Sequence, residues 1–221
     1  MGMKKAFLNT LLVGTVLTVI VLSFKFKASK QLFKNDPTDF SFIKDGDIIF
    51  QVNESGQGKA IQLATNSKYT HCGIVFKENN QYVVYEAVQP VKKTPLKEWV
   101  TYGENNKYEL RRLKNAQALL TQEVIAKMKQ KYKQLEGKNY DLYFGWSDDK
   151  IYCSELVWKI YKYATDLEVG TLQKLKEFDL THPIVKAKLQ ERYGNNIPYE
   201  ERVISPAGLF ESTLLETVAV N

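Results

Sequence analysis

Strand patterns and helix patterns occupy different parts of this sequence, and that segregation limits the fold more than any other feature. Runs rich in β-branched and aromatic residues, which favour strands, come first; they lie at residues 48–52, 72–76, 82–88 and 108–113. Amphipathic helix patterns follow, at residues 121–135 and 153–164. Strand runs without crossover helices between them pair antiparallel, so the sequence predicts an α+β fold with a small antiparallel sheet.

Two of the strand runs predict a β-hairpin that carries a histidine and a carboxylate. The runs at residues 72–76 and 82–88 are joined by a polar turn near Asn79, which places His71 across from residue 86 or 87. Glu86 is therefore expected within reach of the His71 imidazole. A carboxylate in that position holds the ring in one tautomer and stabilises its protonated form, as in a catalytic triad. A structural cross-strand pair is the alternative interpretation.

Cys153 begins the second amphipathic helix pattern, and this position indicates a reactive thiol. Unpaired N–H groups and the helix dipole favour negative charge there, so the pKa of Cys153 is expected to fall toward neutral pH. The same N–H groups are placed to donate to an oxyanion formed on an attacked carbonyl. Cys153 is therefore the candidate nucleophile.

Cys72 follows His71 directly and is the rival nucleophile. Neighbouring strand residues point to opposite faces, so Cys72 is expected to turn into the core, away from the face of His71. Two cysteines are too few for a disulfide framework. With Cys72 in the core and Cys153 in a cleft, their Cβ vectors diverge, and the sequence predicts two free thiols.

The other candidate residues carry weaker signals. A zinc site made of His71, Cys72, Cys153 and His182 lacks any recognisable ligand spacing. His182 stands before a proline at a predicted helix start, where an exposed and incidental role is expected. Tyr140 precedes the cysteine helix and either lines a substrate-binding cleft or packs on that helix. We expect no metal and no cofactor.

The net charge of +6 does not describe the body of the protein. Residues 1–34 hold six lysines and no acidic residue, which leaves 25 basic and 25 acidic residues in the rest of the chain. Nucleic-acid binding requires a basic face on the folded domain. The charge distribution therefore argues against a nucleic-acid partner.

Six short motifs occur along the chain in a fixed order. They are Gly46-Asp47-Ile48-Ile49, Thr70-His71-Cys72-Gly73-Ile74-Val75, Val84-Tyr85-Glu86-Ala87, Gly137-Lys138-Asn139-Tyr140-Asp141, Tyr152-Cys153-Ser154-Glu155-Leu156-Val157 and Val203-Ile204-Ser205-Pro206-Ala207. Together they resemble the permuted papain-like cysteine hydrolases of the NlpC/P60 superfamily, in the YiiX/YaeF-like branch. The order His, Glu, Cys is the specific part, because unpermuted papain-like enzymes place the cysteine first.

The resemblance implies a permuted papain-like fold, in which a small antiparallel sheet packs against the helix that bears the nucleophile. It implies Cys153 as nucleophile, His71 as base and Glu86 as the residue that orients the base. One departure is Cys72, at a position where we expect an aliphatic residue. This departure does not touch the implied chemistry.

These features predict a thiol hydrolase that cleaves an amide or ester bond through a thioester on Cys153. Related enzymes cleave amide bonds in cell-wall peptides, so such peptides or small amides are the leading substrate class. Two alternatives stay open: a lipid-directed acyltransferase or esterase that uses the same Cys–His site, and a non-catalytic binding module. The intact set of cysteine, histidine and glutamate argues against the binding module. Nothing in the sequence sets the oligomeric state.

The N-terminal segment predicts a membrane location. Residues 6–24 are 19 uncharged residues, and a helix of that length spans about 28 Å, close to the thickness of a hydrocarbon core. We expect residues 1–26 to be a single-pass anchor, residues 27–39 a tether, and residues 40–221 an extracytoplasmic catalytic domain of the bacterial envelope. A cleaved signal peptide is the alternative.

Overall fold

A six-stranded sheet lies at the centre of the computed structural model, which describes residues 40–220. The sheet order is β10-β5-β1-β2-β3-β4, and every neighbouring pair is antiparallel. Its strands are β1 (Ile48–Gln51), β2 (His71–Glu78), β3 (Gln81–Glu86), β4 (Lys92–Pro95), β5 (Glu109–Leu113) and β10 (Leu215–Val220). Two short pairs lie outside it: β6 (Asn139–Tyr140) with β7 (Lys150–Ile151), and β8 (Gln173–Lys174) with β9 (Arg202–Val203).

Helices surround the sheet, and the two longest pack against each other. The helices are α1 (Gly56–Thr65), α2 (Leu96–Thr101), α3 (Ala116–Leu119), α4 (Gln122–Leu135), α5 (Cys153–Thr165), α6 (Pro183–Tyr193) and α7 (Pro206–Phe210). Helix α5 lies on the sheet at β2 and against α4. The predicted α+β fold, with the cysteine-bearing helix packed on an antiparallel sheet, is confirmed.

The hairpin of β2 and β3 turns at two asparagines. Asn79 and Asn80 have φ angles of 48° and 63°, a left-handed conformation that asparagine tolerates better than most residues. The register that follows puts Glu86 diagonally across from His71, on the same face of the sheet, two positions away from the residue directly opposite. The predicted neighbourhood of the two side chains is therefore present, with a slightly different register.

The side chains of β2 alternate between two hydrophobic cores. Cys72, Ile74 and Phe76 pack in the core that contains α4 and α5, whereas Val75 packs with Trp99 of α2 in a second core. Because strand side chains alternate, His71 starts the strand on the face opposite to Cys72. Complete burial of Cys72 agrees with the expectation that its side chain turns into the core.

The expected location as a single-pass membrane protein needs correction. Among residues 40–220, no helix has both the length and the apolar character needed to cross a membrane. The segment on which the expectation rests, residues 1–26, lies outside the residues that the structure describes.

A buried ion pair holds the start of β1 to β5. Asp47, 1% exposed, accepts hydrogen bonds from Arg112 Nε at 2.7 Å and from a terminal guanidinium nitrogen of Arg112 at 2.6 Å. We expect Arg112→Met to lower the free energy of unfolding by about 3–5 kcal/mol, because the Asp47 carboxylate is then buried without its cation. Urea unfolding measures the loss. Arg202→Met, at an exposed arginine of β9, is the matched control; equal losses in both variants contradict this assignment.

Candidate active site

Cys153 is the first residue of α5 and is almost completely buried. The preceding residue, Tyr152, is the N-cap, and its backbone N–H donates to the Glu155 carboxylate at 3.3 Å. The first backbone N–H groups of a helix have no partner within the helix, and Cys153 lies among them. The predicted location of the cysteine at a helix N-terminus is therefore present in the structure.

Three side chains lie within hydrogen-bonding reach of the Cys153 thiol: His71, Cys72 and Tyr140. The pKa of Cys153 is well below that of an ordinary thiol, and the Cys72 thiol makes the largest contribution to this lowering. Burial raises the pKa, whereas the His71 imidazole and the Cys72 backbone N–H lower it further. Burial raises the pKa of Cys72, so Cys72 stays protonated and acts as donor. Cys153 is therefore the thiolate of the pair.

His71 and Glu86 form a buried pair across the hairpin. His71 Nε2 lies 2.6 Å from Glu86 Oε2, which leaves the other ring nitrogen for Cys153. Glu86 also accepts hydrogen bonds from Thr94 Oγ1 and, at 2.8 Å, from Trp99 Nε1. Gly73 permits the close approach of β2 to β3 at this point. A Cβ at residue 73 would come within 2.4 Å of the Val84 side chain and 2.8 Å of the Tyr85 carbonyl oxygen.

The charges around His71 favour its protonated form. Burial alone lowers the pKa of the imidazole, but the hydrogen bonds to Cys153 and Glu86 and the negative charges of these groups raise it to about 10. Together with the lowered pKa of Cys153, this makes a thiolate–imidazolium pair the resting state at neutral pH. Such a pair is the activated form of a cysteine nucleophile.

Cys72 differs in one respect from the sequence expectation. The two cysteines are free, as predicted, and Cys72 is in the core. The reasoning that its side chain points away from Cys153 was wrong, because the N-terminus of α5 packs on the same face of β2 that carries Cys72. His71 reaches the same thiol from the end of the strand.

Tyr140 lies beside Cys153 because of a short parallel pairing. In this pairing Tyr140 of β6 lies next to Ile151 of β7, and β7 leads directly into α5. The Tyr140 hydroxyl accepts a hydrogen bond from Gln57 Nε2 at 3.1 Å. Burial, followed by the charge of Cys153, raises the pKa of Tyr140 well above its usual value, so the phenol stays protonated.

Two cavities of opposite character meet at Tyr140 and Gln57. The first contains Cys153 and is walled by apolar side chains; these include Phe144, Leu175, Phe178, Leu189, Val203 and Ile204. The second contains His71 and is lined by the polar residues Asn53, Ser55 and Thr70. The Cys153 thiol therefore faces an apolar space, and the His71 imidazole faces a polar one.

Several site residues carry no recognisable sequence signal. Thr94 and Trp99, in the two elements that follow β3, hold Glu86, and Gln57 holds Tyr140 from 83 residues away, but no pattern within one element indicates these contacts. A tryptophan in a helix pattern is ordinarily interpreted as core, and here it is core and hydrogen-bond donor at once. Sequence periodicity indicates which face of the helix is buried, but it does not indicate that the indole N–H donates to Glu86.

His182 lies apart from the cysteines and His71. It is the N-cap of α6, where its Nδ1 accepts a hydrogen bond from the backbone N–H of Ile184 at 3.2 Å. In the part of the chain that the structure describes, no group of three or more His, Cys, Asp and Glu residues is arranged to hold a metal ion. His71, Cys72 and Cys153 lie together, but His182, the fourth residue considered for zinc, does not join them.

Comparisons with known proteins cover nearly all of the described chain. Residues 42–219 match a family described as permuted papain-like amidase enzymes, YaeF/YiiX. The uncharacterized protein YiiX of Escherichia coli strain K12 is 52% identical over 174 residues, which are 79% of this chain and 85% of that protein. A crystal structure of metalloprotein yiiX from Escherichia coli O157:H7 is 52% identical, with a TM-score of 0.77 over 80% of this chain and 97% of that chain.

Proposed function

Since the chain belongs to the family of permuted papain-like amidases, YaeF/YiiX, we propose that it is a cysteine amidase that works through Cys153, His71 and Glu86. The observation that carries this proposal is the 2.6 Å hydrogen bond between Glu86 and His71, beside the Cys153 thiol at a helix N-terminus, where His71 and Cys153 shift each other's pKa toward the charged forms. A nucleophile, a base and an orienting carboxylate in that order are the parts that acyl transfer needs.

In the proposed reaction, the Cys153 thiolate attacks the amide carbonyl and forms a tetrahedral intermediate. Its oxyanion accepts hydrogen bonds from backbone N–H groups of the first turn of α5 and from the Tyr140 hydroxyl. The His71 imidazolium then gives its proton to the leaving amine as the C–N bond breaks, which leaves a thioester. Water, deprotonated by His71, attacks the thioester and releases the acid and the thiol.

The cavity beside Cys153 supports an apolar acyl group on the substrate. Its walls are aromatic and aliphatic, from Phe144, Phe178 and Leu189 among others. A cell-wall peptide presents polar and charged groups next to its scissile amides, and most of this cavity wall offers them no replacement for the hydration they lose. Of the substrates expected from the sequence, those with an apolar acyl chain therefore fit this cavity better than cell-wall peptides do.

The same cavity also fits a second function. In this function the protein is an acyltransferase, which passes the acyl group from Cys153 to an alcohol or amine instead of water. The first half of the reaction is identical, and only the acceptor differs. Product analysis separates the two: with an added amine acceptor, a transferase forms a new amide, whereas a hydrolase releases only the free acid.

A chain-length series tests the apolar acyl site. We expect kcat/KM for 4-nitroanilides to rise from acetyl to octanoyl by about fourfold per CH2 until the cavity is filled, because each buried CH2 contributes about 0.8 kcal/mol. Leu189→Gln, in the cavity wall, should flatten the series, whereas Leu119→Gln, at an exposed leucine of α3, should not. Equal values for acetyl and octanoyl, or preferred cleavage of a cell-wall muropeptide, contradict the assignment.

A further inference from the structure

A row of polar side chains connects helix α6 to the nucleophile. Arg192, in the last turn of α6, donates from a guanidinium nitrogen to Gln57 Oε1 at 3.0 Å. Gln57, in the first turn of α1, donates from Nε2 to the Tyr140 hydroxyl at 3.1 Å. Tyr140 in turn lies beside Cys153: both residues line one cavity, and the charge of Cys153 raises the pKa of Tyr140. Four elements, α6, α1, β6 and α5, thus meet in one series of contacts.

The chemistry of the two ends gives this series a direction. A guanidinium has only donors, so the Gln57 side chain must turn its carbonyl oxygen toward Arg192 and its amide N–H toward Tyr140. The Tyr140 oxygen is then an acceptor for Gln57, and the single phenolic proton is left for another acceptor. Cys153 lines the same cavity as Tyr140, and its lowered pKa makes the thiolate an acceptor for this proton.

We propose that Gln57 and Arg192 are positioning residues that fix the direction of the Tyr140 O–H, so that it donates first to the Cys153 thiolate and then to the oxyanion. This inference rests on the proposed function. It assigns a task to two residues outside the Cys–His–Glu set, one of which is the guanidinium at the far end of the series.

The surroundings of Arg192 fit a residue held in one orientation. Its guanidinium lies over the ring of Phe144, 5.0 Å from the ring centroid. Within residues 40–220 it forms no ion pair with a carboxylate, and its hydrogen bond goes to the neutral Gln57. The stacking on Phe144 and the hydrogen bond to Gln57 together hold the guanidinium in place. A fixed guanidinium is what sets the orientation of the Gln57 amide.

The rival explanation is a purely structural tie between α1 and α6, and Gln57→Glu separates the two. Glutamate keeps the shape and forms an ion pair with Arg192, so the tie between the helices is preserved. However, a carboxylate only accepts hydrogen bonds. The Tyr140 proton must then turn toward residue 57 and away from Cys153, which reverses the proposed direction.

Two readouts follow the change: hydrolysis of octanoyl-4-nitroanilide, and the pH dependence of Cys153 alkylation by iodoacetamide, located by mass spectrometry. We expect Gln57→Glu to lower kcat about 10²-fold with little change in KM, as for loss of one oxyanion donor, and to raise the pKa of Cys153 alkylation. Arg192→Met, which frees the amide to turn, should act in the same direction with a smaller effect. Lys186→Met, an exposed cation of α6, is the matched control.

The decisive measurement repeats Gln57→Glu in a Tyr140→Phe background. If Gln57 acts through the phenolic proton, Gln57→Glu causes no further loss of kcat in the Tyr140→Phe background, because the hydroxyl is already absent. A loss of the same size in both backgrounds, or full activity of either Gln57→Glu or Tyr140→Phe, overturns the inference. These outcomes are distinct from failure of the proposed function, which appears as turnover by Cys153→Ala.

Discussion

We expect Cys153→Ala to abolish turnover while the fold is retained. The sulfur is the atom that forms the thioester, and no other described group within reach replaces it: Cys72 is held as a neutral thiol by its raised pKa. Loss of a nucleophile typically costs more than about 10³-fold in kcat. The side chain is small, so the stability cost should be about 1 kcal/mol. Hydrolysis of octanoyl-4-nitroanilide and a urea unfolding curve measure both quantities.

Cys72→Ala is the matched variant, and it should behave differently. Turnover should persist, because the nucleophile is present, but the acid limb of the pH profile should move to higher pH. The Cys72 thiol is the largest contributor to the lowered pKa of Cys153, and its loss makes the thiolate harder to form. If Cys72→Ala is inactive and Cys153→Ala active, then Cys72 is the nucleophile and the proposed mechanism is wrong.

Glu86→Gln should slow turnover by about 10²–10⁴-fold without abolishing it, as expected for the orienting member of a triad. The variant keeps the shape and loses the charge. Glu86 helps to raise the pKa of the His71 imidazolium to about 10. Without that carboxylate the imidazolium loses its proton at lower pH, so the alkaline limb of the pH–rate profile should move down from about 10.

The acid limb should respond in the opposite direction. A His71 that is less often protonated stabilises the Cys153 thiolate less, so the pKa of Cys153 should rise and the active range should narrow from both sides. Profiles of kcat/KM between about pH 5 and 11 measure the two limbs. Glu78→Gln, at the hairpin end, removes a carboxylate that pairs with Lys93 and should leave both limbs in place. An unmoved alkaline limb in Glu86→Gln refutes the role of Glu86.

Local sequence determined the elements and the faces of this protein. Alternation and turn chemistry predicted the hairpin, and the amphipathic pattern predicted a helix that starts at Cys153. These predictions hold because a strand period of two, a helix period of 3.6 and a turn preference are properties of a few adjacent residues. The order of His71, Glu86 and Cys153, read with the short motifs around them, also predicted the family.

Only the tertiary structure decided which side chains meet. Cys72 reaches Cys153 because of how α5 lies on β2. Trp99 and Thr94 complete the site from the two elements that follow β3, and the Gln57 contact with Arg192 joins residues 135 positions apart. The apolar cavity likewise combines α1, α6 and the residues around β8 and β9. Such contacts depend on how different elements pack against each other. The periodicity of one element does not indicate which other element it contacts, so only the folded core determines these contacts.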